Sequence, residues 1–194
     1  MPQSVQTLVA ALRSYASRCS AQAQLARDFA RFAQDEAHAF ERSNLAGHFT
    51  GSAWVVSADG RRTLLMHHRK LGRWLQPGGH ADGDMDLARV ALREAREETG
   101  VVELVLDGDI FDIDRHHIPA RGNEPAHWHH DVRYVVRAGA DEAFLVNAES
   151  RALAWRPIIE VAADATLEGS LRRMARKWLD LATLRTASAA VDRP

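Results

Sequence analysis

The stretch that decides the fold is Gly79–Val101, which reads GHADGDMDLARVALREAREETGV. Residues 85–99 predict an α-helix, because at about 100° per residue the small and apolar side chains fall on one stripe suited to packing on a sheet. Gly100 follows directly, and glycine is the residue that most often ends a helix. The stripe consists of Ala88, Ala91, Leu92, Ala95 and Thr99.

A second face of this helix carries three acids, Glu94, Glu97 and Glu98, at positions i, i+3 and i+4. The pair Glu94 and Glu98 costs an isolated helix about 0.2–0.5 kcal/mol, and a divalent cation held by carboxylate oxygens reverses that cost. The alternative is a solvated acidic face laced with arginines. The preceding Gly78 and Gly79 favour the metal, because a glycine loop lets backbone groups approach a cation or phosphate closely.

Together these residues resemble the Nudix box, G-x5-E-x7-R-E-U-x-E-E-x-G-U, in which U is a bulky apolar residue. The chain departs from it at Met85, where the box has its first glutamate, and at Ala95, where the box has a bulkier residue. The resemblance implies an α/β fold, the Nudix-type α/β/α sandwich with a mixed sheet, over residues 48–185. Residues 1–43 are then an N-terminal helical extension and residues 186–194 a tail. The matching positions are Gly79, Arg93, Glu94, Glu97, Glu98, Gly100 and Val101.

The resemblance also implies a reaction. Nudix hydrolases cleave a nucleoside diphosphate linked to another moiety, by attack of water on phosphorus, and require Mg²⁺ or Mn²⁺. Glu97 and Glu98 would be the main metal-ligand carboxylates, with the Gly79 carbonyl as a further ligand. Glu94 would be a ligand or the base that activates water, and Arg93 would orient a glutamate. The expected catalytic residues are therefore Glu94, Glu98 and Arg93.

The rest of the chain adds helices and strands around this segment. Residues 1–43 predict one or two amphipathic helices that pack on the domain or on a second subunit. The histidine-rich stretch 115–130 predicts a long loop. Residues 167–185 predict a closing helix, and the strand-like segments are 52–57, 63–67, 101–106, 109–114, 131–137 and 151–156.

Histidine is concentrated in one region, because eight of the ten lie between residues 67 and 130. Three uses are open: contacts to phosphate and ribose, a second site for a transition metal such as Zn²⁺ or Mn²⁺, or structural hydrogen bonding. Strand alternation beginning at His127 places His129, Asp131 and Arg133 on the same face. His38 and His48 are treated as incidental. The predicted substrate-binding residues are Arg69, Trp74, His80, His116, His127, His129, Asp131 and Arg133.

Composition restricts the partners. With 25 Lys and Arg against 26 Asp and Glu, the net charge of −1 argues against a broadly basic surface for nucleic acid. No run approaches the roughly 18 apolar residues of a membrane-spanning helix. The single cysteine, Cys19, forms no internal disulfide, and no export signal is visible, so we expect a cytoplasmic protein. A homodimer through the N-terminal helices is an open alternative.

The sequence thus predicts a divalent-metal-dependent hydrolase that cleaves the diphosphate linkage of a nucleoside diphosphate derivative, of the ADP-ribose or nucleotide-sugar class. One alternative is a nucleoside triphosphate pyrophosphatase, and another is a ligand-sensing domain without catalysis. The water-activating base has its own alternatives, Glu142 and Glu149 in the later loop. Trp74 and Trp128 are candidate surfaces for stacking a base, with core packing as the other interpretation.

Overall fold

The computed structural model describes residues 4–122 and 125–191. None of the helices within these residues is both long enough and apolar enough to traverse a bilayer. In chain order the elements are α1 (Val5–Arg18), a 3₁₀ turn (Ser20–Gln22), α2 (Ala23–Asp35), β1 (Gly47–Val56), β2 (Arg62–His68), β3 (Trp74–Leu75), β4 (Gly78–His80), α3 (Leu87–Thr99), β5 (Leu104–Ile118), β6 (His127–Ala138), β7 (Ser150–Pro157), α4 (Ile158–Ala163) and α5 (Gly169–Val191).

A mixed sheet of seven strands forms the centre of the described chain. β1 pairs in parallel with β6 along its whole length, from Gly47↔Trp128 to Val56↔Arg137. On its other edge β1 pairs antiparallel with β4 and, at its end, with β2. β5 extends the sheet beyond β6, while β3 and β7 flank β2, all antiparallel. β1 is therefore the strand at which the two halves of the sheet meet.

Helices cover both faces of the sheet. On one face α1, α2 and α3 share a core that includes Phe29, Phe49 and Val90. On the other face α4 and α5 pack over a second core around Trp54 and Met174. Side chains of a strand alternate between faces, so Phe49 and Trp54 of β1 enter different cores. The predicted α/β sandwich with N-terminal helices is confirmed.

The N-terminal helices pack on the sheet of their own chain. The ring of Phe32 stacks on His130 of β6 with 4.0 Å between centroids, and Phe29 meets Phe49 edge-on at 5.8 Å. Leu12 of α1 is fully buried in the same core. The sequence predicted that these helices pack either on the domain or on a second subunit, and the structure shows them packed on the domain.

The predicted long loop over residues 115–130 is wrong. β5 continues to Ile118 and β6 begins at His127, and these two residues form the last pair of the ladder. The connection is residues 119–126, of which 123–124 lie outside the described residues. The prediction missed these ends of β5 and β6 because their side chains are mostly polar. Strands that line a cleft lack the apolar alternation by which a core strand is recognised. The predicted segment 101–106 belongs to β5 only from Leu104 onward, and bulges join that part to the predicted segment 109–114 in one strand.

Burial of His130 makes the stability of the fold depend on pH. The ring is 8% exposed, and burial, followed by the charge of Arg115, lowers its pKa to about 4. In the unfolded chain the ring binds a proton near its ordinary value of 6.5. Because the unfolded state then holds more protons, the free energy of unfolding is expected to fall as pH drops from about 6.5 towards 4.

The substitution His130→Phe keeps an aromatic ring against Phe32 and removes this titration. We expect the acid-side loss of stability to become shallower, as measured by chemical denaturation at a series of pH values. The exposed His38, changed to Asn, is the matched control and should leave the slope as it is in the wild type. An unaltered slope in His130→Phe would refute the assignment.

Candidate active site

The glutamate-bearing helix α3 is fixed at both ends and against the sheet. The carboxylate of Asp86 accepts a hydrogen bond from the amide of Arg89 at 3.1 Å, and Gly100 ends the helix with a φ of +68°. A Cβ on Gly51 would stand 2.7 Å from the carbonyl oxygen of Leu87. Gly51 therefore sets how closely α3 approaches β1, and with that the position of the three glutamates.

Glu98 is the buried glutamate of the three. Its side chain accepts a hydrogen bond from the amide of Gly78 at 2.8 Å, and the residue is 6% exposed. Burial raises the pKa of Glu98 to about 8; the bond from Gly78 opposes the rise, and the nearby Glu94 and Glu149 add to it. A divalent cation favours the charged form of an acid that is buried beside other acids, so this environment suits one.

Glu94 lies against the glycine turn. One guanidinium nitrogen of Arg93 donates to Glu94 Oε1 at 2.8 Å and to the carbonyl oxygen of His80 at 3.2 Å. A Cβ on Gly79 would stand 2.5 Å from the carboxyl carbon of Glu94. Glycine at this position leaves room for the carboxylate, and Arg93 ties that carboxylate to β4.

The glutamates line a cleft of about 820 Å³. Glu149, from the connection before β7, lines it as well, and so do the basic side chains of Arg42, Lys70 and Arg73. Within the described chain the lining contains no Phe, Tyr or Trp. The cleft has the size of a small-molecule site, yet it is polar and carries charges of both signs.

The floor of the cleft is a polar ladder across β1, β6 and β5. The register pairs Thr50 with Asp131 and Asp131 with Asp114. Asp131 is 1% exposed and accepts hydrogen bonds from the hydroxyls of Thr50 at 2.9 Å and Ser52 at 2.8 Å. In this part of the three strands every second residue thus presents a polar group to one side of the sheet, while further along β1 and β6 the same side carries Trp54 and Val135 of the second core.

Arg133 joins three carboxylates beneath this floor. Its Nε donates to Asp131 at 2.7 Å, and its two terminal nitrogens donate to Asp112 at 3.2 Å and Asp114 at 3.1 Å. Burial opposes the charge of Arg133, but the three carboxylates outweigh it and raise the pKa of the guanidinium. Arg173 of α5 also donates to Asp112, at 2.8 Å. Arg133 therefore holds the ladder together as well as touching the cleft.

A cluster of five histidine rings stands at the end of the ladder: His48, His80, His116, His127 and His129. Neighbouring ring centroids lie 4.9–5.3 Å apart. The register explains the gathering, because His129 is paired with His48 on one side and His116 on the other. Burial lowers the pKa of His129 to about 2 and also lowers that of His48, so both rings are neutral near pH 7.

A model of the NUDIX domain matches residues 48–179. The chain belongs to the NUDIX domain family. It is accordingly a hydrolase that acts on pyrophosphate bonds. No curated protein sequence matches it.

Among solved structures, the NUDIX domain is similar to the C. elegans Ap4A hydrolase in a binary complex (14% identity, 70% of this chain and 97% of that chain, TM-score 0.54). It is also similar to a MutT protein from Methanosarcina mazei Go1 (21% identity, 68% and 92%, TM-score 0.52) and to a NUDIX-family hydrolase from Clostridium perfringens (22% identity, 69% and 97%, TM-score 0.52). At these identities the likeness shows the fold.

Met85, which stands where the NUDIX box has its first glutamate, lies beside the N-terminal extension. The residue is 39% exposed and lines a groove together with Val5, Val9 and Phe40. The other three box glutamates all line the cleft, on a different side of the domain.

Three of the predicted substrate-binding residues do not line the cleft. Arg69 donates to two backbone carbonyls, at 2.9 Å each, and Trp74 packs against the core beneath α5. His127 is buried and lies 3.1 Å from His129, Nε2 to Nε2. The predicted residues that do line it are Gly79, His80, Arg93, Glu94, Glu97, Glu98, His116, His129, Asp131 and Arg133.

Sequence reasoning missed the contribution of β1. His48, Thr50 and Ser52 alternate along that strand and face the same way as His129, Asp131 and Arg133. A signal was present, because H-x-T-x-S repeats the period of H-x-D-x-R. The pattern points to the cleft only once β1 is known to pair in parallel with β6.

Proposed function

We propose that the protein is a divalent-metal-dependent hydrolase that cleaves the diphosphate linkage of a nucleoside diphosphate derivative by attack of water on phosphorus. The substrate is of the ADP-ribose or nucleotide-sugar class. The observation that carries the proposal is the convergence of Glu94, Glu97 and Glu98 with the turn Gly78–Gly79 on one wall of a large polar cleft.

The donor set on this wall fits a hard cation. Mg²⁺ and Mn²⁺ prefer oxygen ligands, and three carboxylates and the Gly79 backbone lie together here. Glu97 and Glu98 are the proposed principal ligands, with Glu94 and the Gly79 carbonyl as further ones. When bound, such an ion neutralises phosphate charge and lowers the pKa of a bound water. The histidine cluster offers nitrogen donors instead and suits a softer ion.

The remaining roles follow from the contacts of the side chains. Arg93 keeps the Glu94 carboxylate in place. We therefore assign Glu94 as the base that takes a proton from the attacking water. Glu149 is the second candidate for this base, because it lines the same cleft. Glu142 is a weaker one, since its carboxylate contacts Arg62 at 2.6 Å and does not line the cleft.

The lining supports the substrate class. Thr50, Asp114 and His116 offer hydroxyl, carboxylate and imidazole groups, which suit the hydroxyls of a sugar. The exposed ammonium of Lys70, which also lines the cleft, provides positive charge for phosphate. Because no aromatic side chain of Phe, Tyr or Trp lines the described part of the cleft, recognition rests on polar groups more than on base stacking.

A substrate screen tests the proposal. Purified protein is assayed with Mg²⁺, then Mn²⁺, against nucleotide sugars, ADP-ribose, dinucleoside polyphosphates and nucleoside triphosphates, with ¹⁸O-labelled water to locate the attacked phosphorus. Turnover of a nucleoside diphosphate derivative, abolished in Glu97→Gln, is the expected result. Preference for triphosphates would identify a triphosphate pyrophosphatase, and tight binding without turnover a sensing domain.

We further propose a cytoplasmic location, a NUDIX domain bounded by residues 48–185, and a homodimer formed through α1 and α2. The groove beside Met85 supports the homodimer, because Val5 of α1 and Met85 are partly exposed there. Light scattering coupled to size-exclusion chromatography measures the oligomeric state.

A further inference from the structure

Of the histidine cluster, only His116 has a role in the function proposed above, as a contact to the substrate. The buried members of the cluster, His48 and His127, do not line the cleft, so contact with substrate does not explain them. His80 and His129 do line it. The cluster therefore connects the interior of the domain with the end of the cleft.

His48 is 1% exposed, and its hydrogen bonding leaves one nitrogen with a lone pair. Its Nδ1 lies 3.4 Å from the carbonyl oxygen of Asn44, and since a carbonyl only accepts, Nδ1 carries the hydrogen. Nε2 of the neutral ring is then an acceptor. That atom is buried without a hydrogen-bond partner among the described residues, which destabilises the fold unless a ligand occupies it.

The hydrogen bonds of the neighbouring rings likewise determine which ring nitrogen carries the hydrogen. Nδ1 of His127 lies 2.9 Å from the carbonyl oxygen of Pro125 and donates to it, so Nε2 of His127 accepts from Nε2 of His129. Nδ1 of His129 is left with the lone pair. A ring nitrogen that donates to a carbonyl while the other nitrogen is a bare acceptor is how metal-binding histidines are oriented in proteins.

We propose that His48, His80 and His129 bind a transition-metal ion of the Zn²⁺ type, at a site separate from the glutamates. One nitrogen from each ring lies within 4.8 Å of the others. In a tetrahedral site with Zn–N distances of about 2.0–2.1 Å the ligand nitrogens stand about 3.3–3.4 Å apart, so the three rings would approach one another by up to about 1.5 Å on binding. His127 is a positioning residue that sets the orientation of His129.

Three histidine ligands leave a fourth coordination position. Because His80 and His129 line the cleft and His48 lies beneath them, that position faces the cleft. Sites with three protein ligands and one open position bind water or substrate. The ion would thus bind an oxygen of a ligand in the cleft, an assignment that rests on the proposed function only for the nature of that ligand.

Metal binding by the tag-free full chain tests the proposal. Metal-free protein is titrated with Zn²⁺ alone and with Co²⁺ alone, and the bound ion is counted by elemental analysis after gel filtration. We expect one Zn²⁺ per chain and the visible absorption of tetrahedral Co²⁺. His80→Gln and His129→Gln should weaken Zn²⁺ binding by more than about 100-fold, because changes outside the ligand set alone cost 10- to 100-fold.

Two control variants separate this site from the glutamates. His38→Gln, on the exposed surface, and Glu97→Gln should both keep the Zn²⁺ affinity of the wild type. Loss of Zn²⁺ in Glu97→Gln, unchanged binding in His80→Gln, or less than stoichiometric Zn²⁺ in the wild type would each overturn the proposal. Circular dichroism of the half-buried His80 variant shows whether it is folded. Failure of the substrate screen leaves the Zn²⁺ result unaffected, so the two proposals are tested independently.

Discussion

Replacing Glu98 by glutamine is expected to lower kcat by about 10³-fold or more while the fold stays intact. A cation that stabilises a phosphoryl-transfer transition state contributes several kcal/mol, and each 1.36 kcal/mol is tenfold in rate. The amide oxygen of glutamine can still accept the hydrogen bond from the Gly78 amide. The variant therefore removes charge from the site and keeps its shape. Steady-state kinetics on the substrate found by the screen measures the effect.

The same variant has a pH signature in the metal-free protein. The folded pKa of Glu98 is about 8 against an ordinary value of 4.5, so the folded state holds the proton more tightly. The resulting stability is present below about pH 4.5 and is lost as pH rises through 8. Over that interval the wild type should lose stability relative to Glu98→Gln, and added Mg²⁺ should restore it.

The exposed Glu160 of α4, changed to Gln, is the control for both measurements and should behave as the wild type. Retention of most of the activity in Glu98→Gln would remove Glu98 from the metal site. Equal pH profiles of the two metal-free proteins would instead contradict the raised pKa.

Replacing Arg133 by methionine is expected to lower the free energy of unfolding by about 3–5 kcal/mol. The guanidinium is 2% exposed and donates to three aspartates, so its loss leaves the buried charges of Asp112 and Asp131 with one cation fewer. Methionine fills a similar volume, and the sulfur of Met174 already contacts the site at 3.9 Å. The loss is therefore electrostatic more than a matter of packing. Urea denaturation measures it.

A surface pair provides the comparison. Arg18 and Asp109 lie 3.3 Å apart with both side chains at least half exposed, and Arg18→Met should cost no more than about 1 kcal/mol. Adding Asp131→Asn to Arg133→Met should recover part of the loss, because one uncompensated charge is removed. A cost for Arg133→Met as small as that of Arg18→Met would show that the buried network is not what stabilises the ladder.

How much the sequence predicts depends on how local each feature is. The helix that carries Glu94, Glu97 and Glu98 is readable because its stripe, its acids and Gly100 lie within four turns. The continuation of β5 and β6 through residues 115–130 was missed because histidine and aspartate occupy positions where a strand usually shows apolar residues. His48 was missed for a different reason. It is paired with His129 because β1 and β6 are parallel neighbours, and no short-range sequence pattern predicts that two strands so far apart in the chain pair.

Arg69 and Trp74 illustrate a third limit. Both stand near the glycine turn in sequence, and their residue types suit phosphate and base, which favoured a substrate contact. The direction of a side chain at the end of a strand depends on which neighbour it meets. Arg69 meets the carbonyls of Ala148 and Ser150, and Trp74 meets the core under α5. Chemistry can be inferred from type and spacing, whereas direction depends on the assembled sheet.

Because β1 pairs with β6 along its whole length, the polar groups of β1 face the cleft only if the register of the two strands is kept. A single deletion between Gly47 and Ser52 would turn Phe49 towards the cleft and the histidine and hydroxyl groups into the aromatic core. Neither face tolerates the other's residues. Substitutions along this strand are therefore expected to lower stability and activity by varying amounts. Insertions and deletions are expected to abolish both. Length variation among homologous chains is accordingly expected in the 119–126 connection rather than in the strands it joins.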